Sequence, residues 1–454
     1  MKRFPIKDSV AGEQLLAVSP PLAREPNADW RQRLVYFSGR ALTEHAFRVE
    51  QNGRLGHVAT LGQAFSPGVV TGLEVSAAQT GEGVVLEIAA GMGLAASGEI
   101  VTLNRNHQLR LDDIQVFAPA ALLGPSADAE ADEGAGRLGE SLAELRAAGR
   151  PLPEAMILVL QPVSVEVFSE EASSDPCEAD ASAAPFEDWQ WLDGCRLLLY
   201  AWPAWLGAVP VAGAWRRNRM AHAIFEAERL LGEGEYPPWC ALGVPVALIG
   251  LDETLRFTFV DRNAVVRRGG EAKGGDAPIS TAGNRFLWQA RFEQFNEQLV
   301  DWLANDANFG AATIKAESEF RHLPPVGVLP AGCMSPRQQM QHFFPVSFAV
   351  RALTLPYEQL DLALEESAGL LGYDLNTPDQ VEVLVPVPQA HFDPRLLVVE
   401  TIGAEFDRTI QRFRLVRDQW LGRRLVLRHQ ASALFQAIKG RPLLYPLLDN
   451  AAFD

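Results

Sequence analysis

Cysteine is scarce in this chain: Cys177, Cys195, Cys240 and Cys333 are the whole set. No two of them are two residues apart and no His-x-x-x-His stands beside them, so the spacing of a zinc site is missing. Nor do they form a disulfide framework. Cys177 and Cys195 are near enough in sequence to meet across a loop, but thiols left free and partly buried in a reducing cytoplasm are the simpler expectation. Positive charge is also short, with 40 Lys and Arg against 57 Asp and Glu and a net charge of -17. A surface of that sign repels phosphate backbones and anionic lipid, which argues against nucleic acid as a partner. The opening MKRFPIKDSV has no apolar h-region, so no secretory signal is expected.

The motifs of several chemistries are missing as well. G-x-S-x-G, the P-loop, H-E-x-x-H and the EF-hand loop do not occur. The eight histidines, His45, His57, His107, His222, His322, His342, His391 and His429, are scattered singly, the usual pattern of surface or hydrogen-bonded residues. Carboxylate pairs such as Glu170-Glu171, Glu187-Asp188 and Glu365-Glu366 suit glycosidase chemistry. In so acidic a chain they read equally as solvated charge. No catalytic residue, cofactor, metal or small-molecule substrate is expected.

One glycine pattern invites a nucleotide reading. In VVLEIAAGMGLAASGEIVTL, Gly91, Gly93 and Ala96 have the spacing G-x-G-x-x-A. A dinucleotide fingerprint needs a helix after its glycine turn, with the pyrophosphate at the helix N-terminus. Here Ser97-Gly98 and the β-type run Glu-Ile-Val-Thr-Leu follow instead. Gly91, Gly93 and Gly98 are expected to be sharp corners of a small β-barrel or sandwich, where backbone passes close to backbone.

Composition points to a soluble globular chain, 48% hydrophobic and 21% charged, and 454 residues suggest two or three domains. Residues 1–30, with Pro5, Pro20, Pro21 and Pro26, read as an extended arm. Residues 31–118 read as a helix plus a small β-domain, the helix capped by Thr43 and carrying Phe47, Val49, Leu55, Val58 and Leu61. Residues 119–154 form an acidic Ala/Gly linker in which RLGESLAELRAAG suggests a short helix with Leu138, Leu142 and Leu145 on one side. A β-rich middle domain, 155–322, carries an acidic insert and helices. Its clearest helix, NRFLWQARFEQFNEQLVDWLAN, is expected to turn Phe286, Ala290, Phe292, Phe295 and Leu299 one way. Residues 323–454 read as a mixed strand-helix domain. Helices are expected over YEQLDLALEESAGLL and over LLVVETIGAEFDRTIQRFRLVRDQWLGRRL, the latter with Phe406, Ile410, Phe413, Arg417, Trp420 and Leu421 in one stripe. The fold class is therefore α+β and multi-domain: small β-barrel or sandwich domains, helical connections and an α/β-mixed C-terminal domain.

Charge is unevenly spread. Between Pro119 and Gln190 there are 15 acidic residues against Arg137, Arg146 and Arg150, whereas Glu405 to Arg441 has nine Lys and Arg against three acids. Leu197 to Trp215 has no charge over 19 residues, bracketed by Arg196 and Arg216. That length reaches across a bilayer, but Pro203, Pro210, Gly207 and Gly213 argue against a spanning helix. An apolar loop packed on another domain or subunit fits better. Trp189, Trp191, Trp202, Trp205 and Trp215 cluster here, suited either to a sugar groove or to a subunit contact, where Trp is enriched.

The run RLVYFSGRALTEHAFRVEQNGRLGHVATLGQAFSPGVVTGLEV, followed by VVLEIAAGMGLAASGEIVTL, resembles an N-terminal module of proteins encoded among phage-tail-like contractile injection systems. The elements carrying the resemblance are Tyr36 to Thr43, Gly68 to Val75 and Gly98 to Ile100, together with the later turn LPPVGVLP, Leu323 to Pro330. The chain departs from that pattern at Leu61-Gly62-Gln63, where a more polar, His-containing approach is expected. Type VI secretion baseplate components are a more distant likeness. The resemblance implies a non-enzymatic structural subunit at a baseplate or tail periphery, assembled in the cytoplasm with copies of itself and other particle subunits. The contact residues this suggests are Trp202, Trp205, Trp215 and Trp420 with Arg417, Arg423 and Arg424. The alternative is a carbohydrate-binding protein or glycoside hydrolase using the Trp-rich segment.

Overall fold

In the computed structural model, the described residues are 17–18, 37–38, 43–81, 83–118, 137–169, 188–211, 213, 215–231, 235–252, 256–271, 285–305, 315–327, 329–330, 343–359, 367, 370–387, 425–429 and 443–448. The fold is α+β, with several sheets and, among the described residues, none closed into a barrel. The chain packs as two compact units: unit 1 is Met1–Val209 with Leu230–Gly275, and unit 2 is Pro210–Arg229 with Asp276–Asp454.

Unit 1 begins with β1 (Ala17–Val18) and α1 (Glu44–Gly62). Then come β2 (Gly68–Gly72), β3 (Val75–Thr80), β4 (Gly83–Ile88), β5 (Gly91–Leu94), β6 (Ile100–Leu103), β7 (His107–Arg110) and β8 (Gln115–Ala118). They are followed by β9 (Arg137–Ser141), α2 (Leu142–Ala147), β10 (Ala155–Ser169), β11 (Asp188–Ala201), β12 (Val244–Leu251) and β13 (Phe257–Asp261). Two three-stranded sheets, β2-β5-β6 and β3-β4-β7, make the small β-domain. The larger sheet runs β13-β12-β10-β11-β8-β9, with β1 added on β11 opposite Gly194 and Cys195.

β10 and β11 form the spine, antiparallel from Met156↔Ala201 to Ser169↔Asp188. Every residue from Ala155 to Leu160 and from Cys195 to Trp202 is buried, as is all of β12. Continuous apolar runs of that kind belong to strands covered on both faces. On one face Met156, Leu158, Leu160, Leu197 and Leu199 join a single core with Leu73, Leu86, Ile88, Val101 and Leu103 of the small sheets. Strand alternation sends Tyr200 and Trp202 the other way. There the rings of Phe117 and Tyr200 lie 5.7 Å apart, with Trp239 6.1 Å beyond Tyr200.

The glycine-rich stretch is strand, turn, strand: β5, a turn at Ser97-Gly98 and β6, with no helix after it. Gly91 and Gly93 lie within β5 rather than at corners, because other chain passes against them. A Cβ on Gly91 would lie 2.4 Å from Leu73 N and Thr71 O, and one on Gly93 would lie 2.9 Å from the Val244 side chain. Gly98 is a true corner, with φ +85. RLGESLAELRAAG is not one helix either. Its first part is β9, paired with β8. Ser141 then starts α2 with a capping box: its hydroxyl accepts from Glu144 N at 3.2 Å, while its own N–H donates to Glu144 Oε2 at 2.7 Å.

Unit 2 holds α3 (Arg216–Arg229), α4 (Arg285–Asn305), α5 (Ala316–Glu319), β14 (His322–Leu323), β15 (Leu329–Pro330), β16 (Ala349–Pro356), β17 (Tyr373–Asp374), β18 (Gln380–Val387), β19 (Leu425–His429) and β20 (Leu443–Leu448). A mixed five-stranded sheet runs β15-β20-β19-β18-β16, and β14 pairs with β17. The buried side of α4 is Leu287, Ala290, Arg291, Gln294, Phe295, Gln298 and Leu299, while Phe286 and Phe292 are only half-buried. The stripe is thus rotated from the all-apolar one expected, since Gln294 and Gln298 pair with each other at 3.0 Å and are buried with the core. Of the helix expected over Tyr357–Leu371, a 3-10 turn at Tyr357–Gln359 and residues 367 and 370–371 are described. The last expected helix lies outside the described residues, except that Leu425 belongs to β19.

Gly98 supplies a test. A Cβ there would sit 2.0 Å from the carbonyl oxygen of Ala59 in α1, on a left-handed backbone. Gly98→Ala should therefore cost unit 1 about 2 kcal/mol or more in denaturant unfolding. Gly81→Ala, where the added carbon meets nothing within 4 Å, should change it by less than about 0.5 kcal/mol.

Candidate interaction surface and a buried polar cluster

Helix α1 starts where Thr43 caps it, the Thr43 hydroxyl accepting from Ala46 N at 3.3 Å. It ends at Gly62, whose own Cβ would fall 2.1 Å from Gly98 O. Gln63 Nε2 donates to Ser97 O at 2.9 Å and ties the helix end to that turn. The fully buried residues of α1 are small, Ala46, Gly56 and Ala59, with Val49 and Leu55 half-buried, and Ala59 and Gly62 are the ones that meet the Gly98 turn. Only such residues let helix and turn approach backbone to backbone.

Three bulky residues face outward instead. Phe47 is 54% exposed, Val58 52% and Leu61 66%. With Gln51, Arg54 and Phe65 they follow steps of four and three residues, a seam of the kind that packs on a second helix. Phe65, just past the helix end, is exposed too. Arg54 crosses the middle of the seam and is held by Glu50 at 3.2 Å. Thr43, Phe47, Val58 and Leu61 are named by sequence periodicity; that their apolar side is the outer one follows from glycine and alanine on the inner side.

The tryptophans suggested as contacts have separate fates. Trp202 is 7% exposed and its indole N–H donates to Gly207 O at 2.9 Å, so it belongs to unit 1's own core and is withdrawn from any contact surface. Trp205 is 52% exposed on one face, the other stacked on the buried Trp239 with centroids 5.8 Å apart. Trp215 belongs to unit 2, partly exposed, its indole N–H donating to Glu317 O at 2.7 Å. Trp189 and Trp191 sit on β11 opposite Phe168 and Glu166. The described residues of Leu197 to Trp215 form strand, 3-10 turn and loop, and among the described residues no helix is long and apolar enough to cross a membrane. Arg417, Trp420, Arg423 and Arg424 lie outside the described residues, as does Cys177; Cys195 is a buried thiol with Sγ 3.9 Å from Thr102 O.

Unit 2 carries a polar cluster that sequence reasoning missed. His222 on α3 and His322 on β14 stack face to face, centroids 3.7 Å apart and planes 8° from parallel. Asn218, one turn before His222 and 4% exposed, fixes the register. Its Oδ1 accepts from Arg321 N at 2.9 Å and His322 N at 2.8 Å, and its Nδ2 donates to His322 O at 2.8 Å. Around the rings, Glu226 is bound by Arg229 at 2.8 Å and lies 3.6 Å from Arg291, while Asp374 is bound by Arg321 at 3.0 Å. Burial, then the charge of the neighbouring His322, pulls His222 down to about 4, and burial also lowers His322. Parallel rings at this distance aim their in-plane lone pairs side by side, not at one point. Among the described residues no group of three or more His, Cys, Asp or Glu is placed to hold a metal ion.

No protein-family model matches the chain, and no curated protein matches it.

Removing the Asn218 amide should strand two half-buried N–H groups and one carbonyl. Asn218→Ala is expected to destabilise unit 2 by about 2–4 kcal/mol, read as lost hydrogen-exchange protection at β14 and α3.

Proposed function

We propose that the chain is a non-enzymatic structural subunit of a phage-tail-like contractile injection or secretion particle, at its baseplate or periphery, working through protein–protein contacts. The observation that carries this reading is the outward apolar seam of α1: Phe47, Val58 and Leu61 exposed on an ordered helix whose inner side is already packed. Covering each of these half-exposed side chains contributes about 1–2 kcal/mol, so the seam favours a protein partner over water. The stretches that carry the resemblance to the injection-system module, Tyr36 to Thr43 and Gly68 to Val75, flank this helix, so the two lines of support fall on neighbouring segments. The alternative, a carbohydrate-binding protein or glycoside hydrolase, has the exposed indole face of Trp205 in its favour. A single platform beside the buried Trp202 is a thin basis for a sugar groove.

Recovery of the tagged chain from cells that also express its flanking genes tests this. Sheath, tube or spike subunits should come down with it. Because Val58 and Leu61 are exposed, the double substitution Val58→Asp, Leu61→Asp should leave unfolding nearly unchanged and cut that recovery by about tenfold or more. Binding on a glycan array that vanishes in Trp205→Ala, with no particle subunit recovered, would favour the alternative.

A further inference from the structure

The histidine stack joins segments far apart in the chain. α3 lies in Pro210–Arg229, the piece of unit 2 that precedes Asp276 in sequence, and it meets β14 through His222, His322 and Asn218. We propose that the His222–His322 stack is a proton-sensitive latch: with both rings neutral it holds α3 against β14, and acidification releases α3 from the rest of unit 2. This inference stands apart from the assembly role and does not depend on it.

The geometry makes the stack one that only neutral rings hold together. A first proton would place a cation among Arg219 and Glu226 from α3, Arg291 from α4, Arg321 beside β14 and Asp374 from β17. Three of these are arginines, and both carboxylates already bind arginine, Glu226 to Arg229 and Asp374 to Arg321. The cation would thus find no carboxylate without a competing partner. A second proton would set two like charges 3.7 Å apart in a half-buried site. Opening removes both penalties by returning the rings to water, where an imidazole takes a proton near pH 6.5.

The sign follows. A histidine that titrates lower when packed than when free binds fewer protons packed, so falling pH favours the free state. The latch is fully closed above about pH 6.5 and is lost as pH falls toward about 4. Asn218 supports closure at every pH, because its amide does not titrate.

Hydrogen exchange of the full chain, corrected for the intrinsic effect of pH, is the test. Between pH 7 and about 4.5, amides of α3 should lose protection by about tenfold or more while those of α1 keep theirs. His222→Phe, His322→Phe keeps two flat rings that cannot titrate, and should hold α3 protection constant across that range. Constant protection in the unmodified chain, loss at α1 in the same step, or an unchanged transition in the double variant would each overturn the proposal. Should the double variant fail to fold at pH 7, NMR of the two imidazoles in the unmodified chain decides. The latch predicts that they protonate together with the opening of α3, whereas two ordinary titrations with α3 still packed would refute it.

Discussion

Helix α1 lies on the Gly98 turn at a distance where a single added carbon would collide with main chain. Much else in unit 1 follows from that approach. Around Ala59 and Gly62 nothing larger fits, and Gly98 holds a left-handed backbone to pass beneath. With the inner side given to small residues, Phe47, Val58 and Leu61 have only the outside left. An amphipathic helix usually turns its large apolar side chains to the core. Here the packing constraint inverts the arrangement, and the outer seam is the consequence that bears on function.

The two units are built on different terms. Unit 1 has an apolar centre in which the β10–β11 hairpin is covered on one side by the small sheets, while on the other its Tyr200 packs between Phe117 and Trp239. Around its histidine pair, unit 2 relies on buried polar groups that must be matched one by one. Asn218 satisfies three backbone groups, and Gln298 Nε2 donates to Glu319 O at 3.4 Å beyond its pair with Gln294. Arg217 on α3 reaches both Glu297 and Asp301 on α4, at 3.1 and 2.6 Å. Such contacts are directional, so substitutions among them cost lost hydrogen bonds, whereas in the apolar centre of unit 1 they cost lost volume.

Local signals carried well from sequence to structure. Thr43 caps α1, and no helix follows the glycines at 91 and 93. What stayed hidden depended on partners distant in the chain. β9 looked like the first turn of a helix until β8 was there to pair with it. The inversion of α1 needs Gly98, and the histidine stack needs residues 100 positions apart, each alone an ordinary scattered His. Trp202 and Trp205 share a segment and a composition, yet strand alternation and a 3-10 turn bury one and expose the other. β19 begins at Leu425, the last residue of the stretch read as a helix, and β20 is a short apolar run that becomes a strand by pairing with β19 and β15.

The account rests on the outer side of α1 being a surface that another protein covers. Hydroxyl-radical footprinting of Phe47 and Leu61, on the purified chain and on the assembled particle, measures that most directly. Both side chains should oxidise readily in the purified chain and be protected in the assembly. Equal oxidation in the two states, with the chain demonstrably incorporated, would contradict it.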